Sequence, residues 1–196
     1  MILPIIAYGS PVLKRKAVDI PTNYEDLDGL IKNMWETMYE ANGVGLAAPQ
    51  VGLSLRLFVI DASPFGEDDE LSTEEKTLLS GFKKVFINPQ IIEESGEEWP
   101  FNEGCLSIPD IREDVKRKDR LVIKYQNSKG EELTEIYTGL AARVIQHEYD
   151  HIEGVLFTDK LSPLKKRMLK GKLTAISKGN ISVDYKMKFP LQSKKR

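Results

Sequence analysis

Read as a pattern of hydrophobic and polar positions, the chain first shows a helical period. Leu27, Leu30, Ile31, Met34 and Met38 recur at three- and four-residue spacing, which places them on one face of a helix. Thr22 and Asn23 supply a start signal and Asn42-Gly43 a stop, so the spacing predicts an amphipathic helix over 25–42. The pattern then changes. LRLFVIDA (55–62), KVFINPQII (84–92), LVIKYQN (121–127) and ELTEIYT (132–138) are rich in β-branched and aromatic residues, are bounded by turn formers such as Ser128-Lys129-Gly130, and read as strands. Helical spacing returns at Leu140, Val144, Ile145 and Ile152, predicting a helix over 139–153. A third helix starts at Ser162-Pro163, a capping residue followed by proline, and runs to about Ser177. The segment ISVDYKMKF (181–189) alternates like a last strand.

Strands and helices do not alternate regularly, which argues against a doubly wound parallel sheet and for an α+β fold with mostly antiparallel sheets packed around the 139–153 helix. The 196 residues suit one domain, 1–196. Within it, SPFGEDDELSTEEKTLLSG (63–81) reads as an acidic surface insertion, and 160–196 as a basic C-terminal helix and strand. The net charge of −2 conceals this division. From Lys160 onward there are 12 Lys and Arg against one acid, Asp184, while residues 1–159 carry 16 basic and 29 acidic side chains. No apolar run approaches the roughly 18 residues of a membrane span, and the N-terminus lacks the charged-then-apolar order of a signal peptide. A cytoplasmic protein is expected. The single cysteine, Cys105, cannot form an internal disulfide and is free for packing or chemistry.

QHEYDHIEG (146–154) holds both histidines of the chain. His147 and His151, four apart on a predicted helix, present their rings on one face and can grip one metal ion, with Glu148 beside them to handle protons. This H-E-x-x-H pattern makes the helix a central metal-binding one. A catalytic metal site generally takes three protein ligands and leaves a position open. Phe157 stands where a metzincin would place its third histidine, and SPLKKRMLKGKLTAISKG offers no acid for a thermolysin-like arrangement, so the third ligand is sought upstream. Cys105 in NEGCLSIP is the best candidate, because a thiolate with two imidazoles makes a tetrahedral N₂S site with one open position. GVGLAAPQVG (43–52) adds glycines at 43, 45 and 52, where the backbone can approach another group closely, and the amide of Gln50, a neutral hydrogen-bond donor.

GVGLAAPQ, EGCLS and QHEYDH, in this order, closely resemble the three signature motifs of peptide deformylases, the hydrolases that remove the formyl group from N-formylmethionine at the start of new bacterial and organellar proteins. The resemblance runs from about Ile2 through the third helix. It implies that Cys105, His147 and His151 bind a divalent metal, Fe²⁺ foremost, with Zn²⁺, Ni²⁺ or Co²⁺ also accepted by such ligands. It implies that Glu148 is general base and then general acid, and that the Gln50 amide and the Leu106 N–H stabilise the oxyanion. Gly45 and the residues beside Cys105, Glu103 and Gly104, would hold the peptide backbone along a strand edge. Val44, Leu140 and Val144 are suggested for the methionine pocket, although Leu140 reads equally well as core. The family pattern also suggests a structural salt bridge at Glu103, for which Arg117 is a partner, and Gln146 and Asp150 either orient ligands or are plain polar helix positions.

The expected partners are N-formylmethionyl peptides of nascent chains, together with the ribosome if Lys165, Lys166, Arg167, Lys170 and Lys172 meet its RNA rather than serving solubility. DNA and membranes are not expected partners, and a monomer is. A metal-dependent endopeptidase and a non-catalytic metal- or ribosome-binding protein remain open as alternatives at this point.

Overall fold

The computed structural model describes residues 1–67, 69 and 71–191. In chain order it forms β1 (Ile5–Ile6), α1 (Leu27–Glu40), β2 (Gly45–Ala47), β3 (Leu57–Asp61), α2 (Thr73–Ser80), β4 (Lys83–Cys105), β5 (Ile108–Gln126), β6 (Glu132–Thr138), α3 (Gly139–Ile152), α4 (Pro163–Lys178) and β7 (Met187–Lys188). One antiparallel sheet has the order β2-β3-β4-β5-β6, and β1 pairs in parallel with β7. The architecture is α+β, as expected. Among the described residues no helix is long and apolar enough to cross a membrane.

The helix ends follow their capping chemistry. Asp26, at φ 56°, accepts the Gly29 N–H and starts α1 two residues later than the sequence suggests, and Asn42, at φ 53°, turns the chain away after it. Ser162 caps α4 through the Lys165 N–H, with Pro163 in its first turn, and Gly179 at φ 72° closes it.

The strands depart further from expectation. β4 and β5 continue far beyond 84–92 and 121–127, into a hairpin whose distal arms pair only with each other. Register shifts between Ile87 and Gln90, Ile91 and Glu93, and Ser95 and Glu98 bend this ribbon out of the main sheet. Its two arms face Glu98, Trp99 and Phe101 with Lys118, Arg117 and Val115, so cross-strand pairing supports a segment too charged to read as strand. The final segment shrinks instead: of 181–189 only Met187 and Lys188 pair as strand.

Three apolar clusters make up the core, and α3 lies in the first of them. Phe58, Phe86 and Tyr125 stack on one side, with ring centroids 4.7 and 4.4 Å apart. α1 covers Leu46, Leu57 and Val59 on another. α4 covers Ile108, Ile111 and Val115 of the bent hairpin. The 63–81 segment is not wholly on the surface, although residues 68 and 70 lie outside the described residues, as do 192–196 of the basic tail. Leu79 of α2 is buried at 1% exposure in the cluster around Phe58. Truncation by Leu79→Ala should therefore cost about 2–4 kcal/mol in denaturant unfolding. A cost under about 0.5 kcal/mol, the level of a surface substitution, would return the segment to the surface.

Candidate metal centre

α3 is buried on nearly every face, because its apolar residues meet β2, β3, β5 and β6. It carries His147 and His151 one turn apart, with ring centroids 5.1 Å from each other. Cys105 arrives from the end of β4, beside a register shift between Gly104 and Cys105, an irregularity of the kind that re-aims a side chain. The Cys105 Sγ lies 3.3 Å from His151 Nε2, and the donor atoms of Cys105, His147 and His151 all lie within 4.8 Å of one another. His147 Nδ1 is 3.0 Å from Glu103 Oε2, which leaves its Nε2 for the centre of the cluster. Soft sulfur and two imidazole nitrogens at this separation fit a divalent transition metal with one position left for water or substrate. Beside them the buried Glu148 Oε2 finds no hydrogen-bond partner among the described residues.

Burial shapes the charges. It raises the Glu148 carboxyl to about 7, against the pull of His147 and Arg117 in the other direction, so the group is poised to take and give a proton near neutrality. Burial alone would lower His147, but hydrogen bonding to Cys105 and Glu103 brings it up to about 10. His151 is driven well below the usual histidine range, first by burial and then by the positive charge of His147 and Arg117. Burial would likewise raise Glu103, yet hydrogen bonds from Arg117 and His147 hold its carboxyl far below the ordinary range.

Glu103 is the hub of that network: it lines the cleft, but both its oxygens are engaged by protein side chains. Arg117 donates to it twice, at 2.7 and 2.9 Å, and Arg143 donates at 2.9 Å. Arg117 in turn reaches Asp150 of α3 at 2.6 Å. Asp150 thus steadies Arg117, whereas Gln146 donates to the Lys118 carbonyl at 2.9 Å and ties α3 to β5. The sequence reading missed Arg143, although it stands one helical turn before His147. Its guanidinium also lies 4.4 Å over the Trp99 ring and donates to the Trp99 carbonyl.

A cleft of about 630 Å³ opens over the cluster. Val44, Gly45, Gln50, Glu103, Gly104, Leu106, His147 and Glu148 line it, joining the three motifs, and Val144 stands beside them. Leu140 does not line it, being packed in the cluster around Phe58 and Phe86. Phe65, Phe101 and Tyr185, not singled out from sequence, do. Gln50 accepts the Ala47 N–H at 2.8 Å through Oε1, which turns its Nε2 toward Cys105 Sγ at 3.5 Å and Ser107 Oγ at 3.4 Å. Gly45 has a steric reason to be glycine, since a Cβ there would strike the Glu148 carboxylate.

The sequence model of the polypeptide deformylase family matches residues 2–167. The peptide deformylase of Christiangramia forsetii is 65% identical over 196 residues and that of Flavobacterium johnsoniae 57%, each alignment covering all of both chains. The crystal structure of a peptide deformylase from Legionella pneumophila superposes with a TM-score of 0.77 at 38% identity, covering 92% of this chain and 98% of that one.

The buried network can be tested directly. Arg117→Met leaves the Glu103 carboxylate buried without its main partner, and denaturant unfolding should show a loss of about 3–5 kcal/mol. The acid side has a definite sign. Because the folded protein holds Glu103 below its ordinary value of 4.5, the pairing stabilises fully above pH 4.5 and is withdrawn as the pH falls below it. Wild type and Glu103→Gln should therefore differ at pH 7 and converge in stability on acidification, and parallel curves would contradict the pairing.

Proposed function

The chain belongs to the peptide deformylase family, and from that membership and the geometry of the cleft we propose how its residues divide the work. The reaction hydrolyses the N-formyl group from the N-terminal formylmethionine of nascent proteins and releases formate. The family uses a catalytic metal, and Cys105, His147 and His151 form the cluster suited to it. The observation that carries the assignment is the convergence of these three donors within 4.8 Å, beside a buried carboxylate.

Cys105, His147 and His151 hold one divalent cation. Fe²⁺ is the ion proposed for the cell, and the same donors accept Zn²⁺, Ni²⁺ or Co²⁺. When bound, such a cation supplies Lewis acidity, lowering the pKa of a water and polarising the formyl oxygen. Glu148 takes the proton of the attacking water. As the C–N bond breaks, it returns a proton to the departing amine. The Gln50 Nε2 and the Leu106 N–H donate to the formyl oxygen as it gains negative charge. Glu103 acts through His147, fixing its ring orientation rather than meeting the substrate.

The methionine side chain enters between Val44 and Val144, with Phe65 and Phe101 completing an apolar wall. The peptide backbone runs beside β2, which lies at the edge of the sheet order, with Gly45 and Gly104 on the cleft wall. Leu140 supports this wall from the core. The basic face of α4 is proposed to meet ribosomal RNA. Arg167, Lys170 and Lys172 carry that reading, because Lys165 pairs with Glu113 and Lys166 donates to the Asp159 carbonyl. The protein is read as a cytoplasmic monomer, which suits an enzyme that meets chains as they emerge.

Formate release from a formyl-Met peptide, by protein prepared anaerobically with Fe²⁺, tests the assignment. Glu148→Ala should abolish release while the protein still binds metal. Gln50→Ala should lower kcat by about 10²–10³-fold in a protein that still folds, at a stability cost of about 1–3 kcal/mol for the stranded Ala47 N–H. Full activity in either variant would remove that residue from its role.

A further inference from the structure

The family match ends at residue 167, yet residues 182–185 form part of the cleft wall. Within 181–189 the odd-numbered side chains are half-buried and the even-numbered ones exposed, so one face lies on the protein although the backbone bends at 184–185 and pairs as strand only at Met187 and Lys188. The segment is tied along its length. Ile5 N–H donates to the Lys186 carbonyl at 2.8 Å, Ala7 N–H to that of Lys188 at 2.9 Å, and Leu191 N–H to that of Ser177 at 3.0 Å. Ile181, Met187 and Phe189 pack on the cluster beneath α4.

Tyr185 is the point where this strap meets the chemistry. Its hydroxyl donates to the Leu106 carbonyl at 2.8 Å, in the two-residue turn between β4 and β5 that directly follows Cys105. The same turn is held by Tyr8, whose N–H donates to the Ser107 carbonyl at 2.9 Å, and by Gln50, whose Nε2 is 3.4 Å from Ser107 Oγ. Three elements outside the hairpin therefore grip two residues. Of these, only Tyr185 lies beyond the family match.

We infer that Tyr185 is a positioning residue for the reaction, and that the C-terminal strap completes the site in this chain. A two-residue turn can pivot about the φ and ψ bonds of Leu106, because the peptide planes themselves are rigid. Holding the Leu106 carbonyl fixes the plane it shares with the Ser107 N–H, and so restricts the pivot at Leu106 through which the preceding plane, carrying the Leu106 N–H beside Cys105, would turn. The inference rests on the roles proposed above for Leu106 and Cys105. Displacement of such groups by an ångström is enough to cost about 10²-fold in rate.

Tyr185→Phe keeps the ring and removes the donor. In the full-length iron-loaded protein, kcat on a formyl-Met peptide should fall roughly tenfold to hundredfold with KM changed less than about twofold. Hydrogen exchange at the turn amides should accelerate in the same variant. Lys186→Ala, which removes an exposed side chain of the same strap and leaves its backbone tie and the hydroxyl in place, should keep kcat within about twofold of wild type. Wild-type kcat and exchange in Tyr185→Phe would overturn the inference, as would an equal loss of kcat in Lys186→Ala. Turnover by Glu148→Ala in the same assay would instead show that the reading of the site has failed.

Discussion

Glu103 is an ionised carboxylate at 4% exposure, and a charge so far from water persists only with opposite charge and hydrogen bonds against it. Much of the site's architecture follows from meeting that requirement. Arg117 of β5 answers Glu103 of β4 with a two-pronged contact, and Arg143 of α3 adds a third. Arg117 is then itself a buried charge, at 4% exposure, and Asp150 of α3 answers it in turn. The network closes across both arms of the bent hairpin and the central helix. Neither element can slide against the other without stranding a charge, which makes the relative placement of Cys105 and the two histidines a consequence of electrostatics as much as of packing.

The same carboxylate contacts His147 at Nδ1, so one residue steadies both the hairpin and a proposed ligand. Around that anchor the other contacts are small. Gly45 leaves out a side chain so that Glu148 can lie against β2, and Gln50 uses its carbonyl on the Ala47 N–H to aim its amide at the thiol. Preorganisation of this kind gives an active site its rate, since donors already in place need not reorganise as charge develops.

The parts of this arrangement legible in sequence are the local ones. His147 and His151 are neighbours because helices repeat every 3.6 residues, and Ser162-Pro163 starts a helix because capping is a matter of adjacent residues. Contacts made across the chain were harder to read. Arg143 sits among Ala141, Ala142, Val144 and Ile145, and its charge is answered by Glu103, 40 residues away. The distal hairpin, with its Glu- and Lys-rich arms, lacks apolar alternation and becomes strand only through its partner. Leu140 and Val144 share a helical stripe, but α3 is surrounded, so a shared face does not separate cleft from core. The alternation of 181–189 was visible and is realised as alternating exposure, with strand pairing confined to Met187 and Lys188. Its position against Leu106 was not, because that depends on the pairing of β1 with β7.

The central claim is that Cys105, His147 and His151 hold one metal ion together. X-ray absorption at the iron edge of anaerobically prepared protein tests it most directly, by counting the sulfur and nitrogen donors around the ion and repeating the measurement on Cys105→Ser. One sulfur and two imidazole nitrogens in the wild type, with the sulfur lost in the variant, is the result this account predicts. Iron without a sulfur neighbour, or a sulfur signal that survives Cys105→Ser, would contradict it.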